Sequence, residues 1–451
     1  MRITETAIPG LLIIDLDVHG DNRGWFKENW QREKFTGLAP ELASFQPVQN
    51  NISFNHAGAT RGLHAEPWDK LVSVAQGKIF GAWCDLREGS ESFGEVVTHE
   101  VGPETAVFVP RGVANGFQAL EETSYCYLVN EHWSAEARYA AVNLNIVDWP
   151  LEPTEISEKD KQHPGLAEVS PMPARRVLVT GANGQLGRAL KRLLADAELC
   201  THADFDITDP PERNWKQYSA IINCAAYNDV NGAENDRATA WAVNAEAPAR
   251  LARIAAENQL TLMHVSSDYI FDGTNEIHTE EELPSPLSAY GASKAAGDTA
   301  AQTAPQHYVI RTSWVFGDGE NFMSTMRRLA NKGVEPKVIH DQRGRPTFAE
   351  DLAKGIVHLL NSGADYGVYN LSNSGDTVGR DEIAMAVFIG LGHDSAEVTP
   401  VSTEQYREIA GPEAPRPKES TLALDKIEAT GFKPQNWRAA LALYLALYPE
   451  D

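Results

Sequence analysis

Arg176-Val-Leu-Val-Thr-Gly-Ala-Asn-Gly-Gln-Leu-Gly187 decides the fold of the larger part of this chain. Its first five residues are the short apolar run of a buried strand, and residues 186–195 carry apolar side chains at helical spacing. Between them Gly181, Gly184 and Gly187 form a GxxGxxG turn. A glycine-rich turn joining a strand to a helix lets the backbone approach a pyrophosphate closely and aims the positive helix N-terminus at it. Further strand-like runs at 220–224, 260–266 and 308–312 alternate with helical segments such as 238–258. Strands alternating with helices predict βαβ units and a parallel, Rossmann-type sheet from residue 174 to 451.

Upstream the period changes. Short alternating runs at 71–74, 78–86, 106–110 and 125–129, broken by turn residues, predict an all-β jelly roll over 1–168. Prolines 150, 153, 164, 171 and 173 read as a connection, with 169–173 as the linker proper. Two domains also follow from length, because 451 residues exceed the roughly 250–300 that a single core supports.

The formal charge is 39 − 63 = −24, which argues against a broad basic face for nucleic acid or an anionic membrane. No apolar run reaches the ~18 residues needed to cross a bilayer. Four cysteines without a CxxC pair suit a reducing compartment, so a cytoplasmic protein is expected.

Tyr290 and Lys294 form a YxxxK pair that shares one helix face. A neutral tyrosine beside an ammonium is a proton donor suited to an alkoxide formed by hydride addition to a carbonyl. Ser267, at the end of the preceding strand, can hydrogen-bond the same oxygen. With these residues in this order, the second part resembles the extended short-chain dehydrogenase/reductase family. The segments Ser266-Ser-Asp-Tyr-Ile-Phe271, Arg311-Thr-Ser-Trp-Val-Phe316, Asp341-Gln-Arg-Gly-Arg-Pro-Thr347 and Arg416-Pro-Lys-Glu-Ser-Thr-Leu422 resemble dTDP-4-dehydrorhamnose reductases within it.

That resemblance implies Ser267, Tyr290 and Lys294 as the catalytic set and NADPH or NADH as cofactor. It places Gln185 and Leu186 with the three glycines at the pyrophosphate, Asp206 and Ile207 at the adenine, and Ala225, Ala226 and Tyr227 at the nicotinamide, with Tyr290 and Lys294 alongside. Asp268, Trp314 and Arg416 fall on the sugar side. His202 and Ala203 stand where an NAD-selecting acidic residue is usual, so the preference between the two cofactors stays open. Some relatives use Mg²⁺ at a subunit contact, and no ligand spacing here points to it.

In the first part, Asp21-Asn-Arg-Gly-Trp-Phe26, Gln49-Asn-Asn51, Arg61-Gly-Leu-His64 and Val109-Pro-Arg-Gly-Val-Ala-Asn-Gly-Phe117 occur in one order. They resemble dTDP-4-dehydrorhamnose 3,5-epimerases, which are metal-free cupins, and no HxH pair near His64 suggests a metal. Epimerisation α to a ketone needs a base near neutral pKa, a cation at the enolate oxygen, and an acid on the opposite face. The resemblance implies His64 as base, Asp160 as its orienter, Lys70 at the enolate and Tyr127 as acid. Arg23, Phe26, Glu28, Gln49, Asn51, Arg61, Asn115 and Trp133 would hold the nucleotide sugar. Departures from the family pattern are a short loop between His64 and Lys70, Asn115 for a usual His, Gly81 for a usual Asp and Trp133 for a usual Tyr.

Together the resemblances imply a bifunctional enzyme on a dTDP-sugar in dTDP-L-rhamnose formation for cell-surface polysaccharide, dimeric through its cupin. The alternative is a reductase carrying an inactive cupin for oligomerisation or binding.

Overall fold

The computed structural model describes residues 1–43, 45–134 and 137–448. The chain divides into two compact units, Met1–Ala174 and Arg175–Asp451.

The strands of the first unit are β1 (Arg2–Glu5), β2 (Leu12–Asp15), β3 (Val18–Asp21), β4 (Gly24–Lys27), β5 (Gln49–Asn55), β6 (Thr60–Ala65) and β7 (Lys70–Gln76). They continue with β8 (Ile79–Asp85), β9 (Val96–Val101), β10 (Thr105–Val109), β11 (Val113–Ala119), β12 (Thr123–Val129) and β13 (Ala140–Ala141). One antiparallel sheet runs β1-β2-β10-β7-β12-β5 and the other β13-β6-β11-β8-β9. Val72, Val74, Val107 and Val109 of the first meet Trp83, Val113 and Phe117 of the second to form the core. Each such buried side chain contributes about 1.5–3 kcal/mol. Pairing of Tyr127 with Val72 and Asn51, and of His64 with Asn115, sets which side chains share the inner face.

The stretch expected to be a loose connection is packed. Val142, Leu144, Val147, Val169 and Met172 bury against the outer face of the second sheet. The Met172 amide donates to the Leu86 carbonyl at 2.7 Å, and Arg111 donates to the Pro173 carbonyl at 2.8 Å. Residues 169–173 are therefore the closing seam of the first unit and not a free linker. The prolines misled because proline also suits extended, edge-bound chain.

In the second unit six parallel strands lie in the order Glu198–Cys200, Arg176–Thr180, Tyr218–Asn223, Thr261–Ser267, His307–Thr312, Gly367–Asn370. Leu186, Leu190, Leu352 and Ile356 cover one face, and Leu251, Ala255 and Ala301 the other. A separate cluster built on Met323, Val387, Trp437 and Tyr444 carries the C-terminal part. The chain order reverses between Arg176–Thr180 and Tyr218–Asn223, which is where open α/β sheets bind ligands.

The long helix expected over 238–258 is interrupted. A π-helical turn, Ala242–Glu246, separates Arg237–Trp241 from Ala247–Asn258. Pro248 has no N–H for the Asn244 carbonyl four residues back, and that carbonyl turns toward Gly297, where a Cβ would stand only 2.0 Å away.

Candidate active sites

At the sheet reversal, the glycine turn fits a dinucleotide by what a side chain would strike. Gly181 has φ +69°, and a Cβ there would lie 2.7 Å from the Ala225 amide. At Gly187 a Cβ would meet the Gly181 carbonyl at 2.4 Å. Gly184 caps the helix Gln185–Leu193 with no side-chain bond, leaving its first amides for an anion. Ala225, Ala226 and Tyr227 follow the adjoining strand, half-buried. Asp206 accepts from the Thr208 amide at 2.8 Å, while Ile207 is buried in the core beneath it.

Ser267, Asp268, Tyr290 and Trp314 come together around a cavity of about 250 Å³, joined by Tyr269, Phe322 and Arg380. Burial pushes the Tyr290 hydroxyl well above its ordinary value, with the Ser267 hydroxyl beside it opposing. Lys294, buried one turn further on, donates to the Val265 carbonyl at 2.7 Å. Burial lowers its ammonium to about 8, against the pull of Asp298. Asp268 accepts from Ser267 at 3.0 Å, and burial raises it to about 6 against the hydroxyls of Ser420 and Ser267. Trp314 has φ +44°, a backbone state that bulky residues rarely hold without cause. Arg380 sits 4.6 Å from its ring centre and donates to the Tyr269 hydroxyl at 2.9 Å. Arg416 does not line this cavity; it pairs with Glu413 at 3.4 Å.

Sequence reading missed Asn244, whose amide clamps the Tyr227 backbone, accepting at 2.9 Å and donating at 3.1 Å, and reaches Ser293 at 3.0 Å. It ties the loop after Tyr218–Asn223 to the helix bearing Tyr290. Only the helix break before Pro248 hinted at it.

In the first unit, His64 Nε2 and Asp160 Oδ1 are 2.9 Å apart. The other Asp160 oxygen accepts the Gly62 amide at 3.2 Å. Burial works against the carboxylate, yet bonds from His64, Gly62 and Ser157 bring it down to about 2. With the carboxylate accepting, Nε2 carries the proton and Nδ1 the lone pair. Across the barrel, the buried Lys70 lies 4.7 Å from the Tyr127 ring centre. Burial and Glu66 raise the Tyr127 hydroxyl, and Arg61 opposes them. Glu66, also missed from sequence, forms an ion pair with Lys70. Gln49 donates to Asn51 at 2.9 Å, and Arg61 to Asn55 at 2.8 Å.

Other expected ligand residues lie apart. Arg23 and Phe26 are exposed on the β3–β4 hairpin, where Arg23 pairs with Asp21, and Glu28 pairs with Lys34. Trp133 is exposed. Asn115 is buried, accepting from Trp83 Nε1 at 3.0 Å and donating to Tyr125 at 3.1 Å. A Cβ on Gly81 would lie 2.3 Å from the Trp83 ring. The departures at 81 and 115 are thus one exchange: glycine makes room for the indole, and the indole engages the asparagine.

The chain thus joins a β-sandwich, with a His–Asp couple on one sheet and a lysine and a tyrosine on the other, to a dinucleotide-type fold with a Ser-Tyr-Lys set. Residues 5–168 match the family model described as dTDP-4-dehydrorhamnose 3,5-epimerase, and 175–449 the one described as RmlD substrate binding domain. The "Protein RmlC homolog" of Streptococcus pyogenes is 52% identical over 37% of this chain and 89% of its own length. The dTDP-4-dehydrorhamnose reductase of Mycobacterium tuberculosis is 40% identical over 60% of this chain and 93% of its own. The crystal structure of dTDP-4-dehydrorhamnose reductase from Bacillus anthracis in complex with NADP covers 61% of this chain and all of that one at 32% identity, TM-score 0.55. The chain belongs to both families, the epimerases through its first unit and the reductases through its second. No helix among the described residues is long and apolar enough to cross a membrane.

Proposed function

We propose that the chain converts dTDP-4-keto-6-deoxy-D-glucose to dTDP-L-rhamnose, by 3,5-epimerisation in Met1–Ala174 and reduction at C4 in Arg175–Asp451. The observation that supports this reading is that the second unit lines one cavity with Ser267, Asp268 and Tyr290, while in the first His64 pairs with Asp160 and Lys70 lies against Tyr127. His64, its Nε2–H held by Asp160, takes the C3 and C5 protons at Nδ1. Lys70 stabilises the charge that develops on the C4 oxygen, and Tyr127, kept neutral by its raised pKa, returns the proton from the opposite sheet.

In the second unit Gly181, Gly184, Gln185, Leu186 and Gly187 hold the pyrophosphate of NADPH or NADH. Asp206 and Ile207 border its adenine, and Ala225, Ala226 and Tyr227 its nicotinamide. When bound, the cofactor supplies hydride to C4. Tyr290 gives the proton to the C4 oxygen, Ser267 hydrogen-bonds that oxygen, Lys294 sustains the tyrosine's acidity, and Asp268 and Trp314 flank the sugar.

The active form is a homodimer through the first unit. β5 is a sheet edge whose outer Ile52 and Phe54 are 69% and 59% exposed, and Phe26 on the hairpin is 66% exposed. Such apolar exposure on an unpaired edge calls for a partner strand. The four cysteines are free, in keeping with a cytosolic location.

Purified protein given dTDP-4-keto-6-deoxy-D-glucose should oxidise NADPH unaided, and His64→Ala should stop this until a separate epimerase is added. Undiminished turnover by His64→Ala would instead make the cupin a non-catalytic module.

A further inference from the structure

His163, three residues beyond Asp160, takes no part in the chemistry above, yet its side chain is only 7% exposed. Neither ring nitrogen has a hydrogen bond of full geometry, and only the Gly62 backbone approaches one. Its ring meets His64 edge-on with centres 5.1 Å apart, and its Nε2 lies 3.9 Å from the Asp160 oxygen that His64 engages. A buried imidazole so poorly satisfied calls for an explanation, such as an ion or a water.

The donor atoms of His64, Asp160 and His163 all lie within 4.8 Å of one another. Two imidazoles and a carboxylate are the donor set that first-row divalent ions such as Zn²⁺ prefer. The groups facing His163 are His64 on β6, the Gly62 backbone, and Asp160 and Lys159 on its own segment. His64 and Asp160, 2.9 Å apart, already have the roughly 3 Å spacing of two ligands with ~2 Å bonds to one ion. The third donor, on His163, lies 3.9 Å from the Asp160 oxygen, so its ring must shift toward the pair to share one ion.

We propose that His64, Asp160 and His163 form an inhibitory site for Zn²⁺ or a similar ion, resting on the reading of His64 as the epimerase base. The proton balance states how inhibition works. The ion takes the Nε2 lone pair of His64, so the proton on Nε2 moves to Nδ1. Asp160 binds as the carboxylate and His163 through a ring lone pair, so no other proton is displaced. Nδ1 then carries hydrogen and cannot accept one from the sugar.

The test titrates the chelator-treated full chain with Zn²⁺ while NMR follows solvent deuterium exchange at C3 and C5 of the keto sugar. Exchange should stop and return with EDTA, whereas NADPH oxidation with sugar already epimerised should continue. Co²⁺ in place of Zn²⁺ should give the visible absorption of a four-coordinate site, a readout independent of turnover. His163→Phe should keep exchange and bind Co²⁺ at least tenfold more weakly; should it fail to fold, His163→Asn is read the same way. Equal Co²⁺ binding by the variant, or exchange unaffected by Zn²⁺ in the wild type, would overturn the proposal. Failure of the base assignment is separable, because metal-free His64→Ala would then exchange normally while wild type still showed the Co²⁺ band.

Discussion

The indole of Trp83 fills the space above Gly81 and hands its N–H to Asn115 at 3.0 Å. Positions 81, 83 and 115 form one interlocked group where β8 pairs with β11. Gly81→Ala should therefore strain the barrel by about 1–3 kcal/mol, since its new methyl meets a fully buried ring. Thermal unfolding of the first unit's transition measures this, and adding Trp83→Phe should not restore it, because the Asn115 carbonyl then loses its donor.

Replacing Tyr290 by Phe should lower the reduction rate on the order of 10²–10⁴-fold and leave deuterium exchange at C3 and C5 intact. Stopped-flow NADPH oxidation with epimerised sugar is the direct measurement.

Lys294 sets an alkaline limit. Its ammonium, lowered by burial to about 8, is lost as pH rises through that value, so kcat/KM for reduction should fall there. Asp298 opposes the lowering, so Asp298→Asn should move the limb to lower pH. A limb that stays in place would remove Lys294 as its source.

Asp160 behaves in the opposite sense. A carboxylate lowered to about 2 stabilises the folded state at every pH above its ordinary value, and that stability is lost as pH falls through about 2. The contribution is on the order of 2 kcal/mol. Asp160→Asn should flatten the acid side of the first unit's stability curve and cut exchange sharply at neutral pH.

The double variant Ile52→Lys, Phe54→Lys should yield monomers in sedimentation velocity, because two ammonium groups would occupy the outer face of the β5 edge.

Contiguous motifs were the legible part. The glycine turn, the Tyr290–Lys294 spacing and the Arg61-Gly-Leu-His64 run are local patterns read within a few residues, and the fold sets Tyr290 with Ser267 at one cavity and His64 beside Asp160. Asn244 was not legible, because an asparagine within a helical run looks like surface until Pro248 shifts the ladder and turns it inward. The departures at 81 and 115 looked separate, since strand pairing and not chain proximity joins β8 to β11, and Trp83, the side chain between them, was not singled out. The proline-rich stretch was misjudged because composition registers lost helix and sheet, not burial.

Asp160 reaches His64 from 96 residues downstream, only 175 − 160 = 15 residues before the second unit begins. During synthesis the barrel strands therefore emerge well before the carboxylate that orients their histidine. Domains tend to fold in order as they leave the ribosome. Until that late segment docks, the nascent barrel holds a histidine with no fixed tautomer, so catalytic competence arrives as a final stitch, just as the next domain starts to appear.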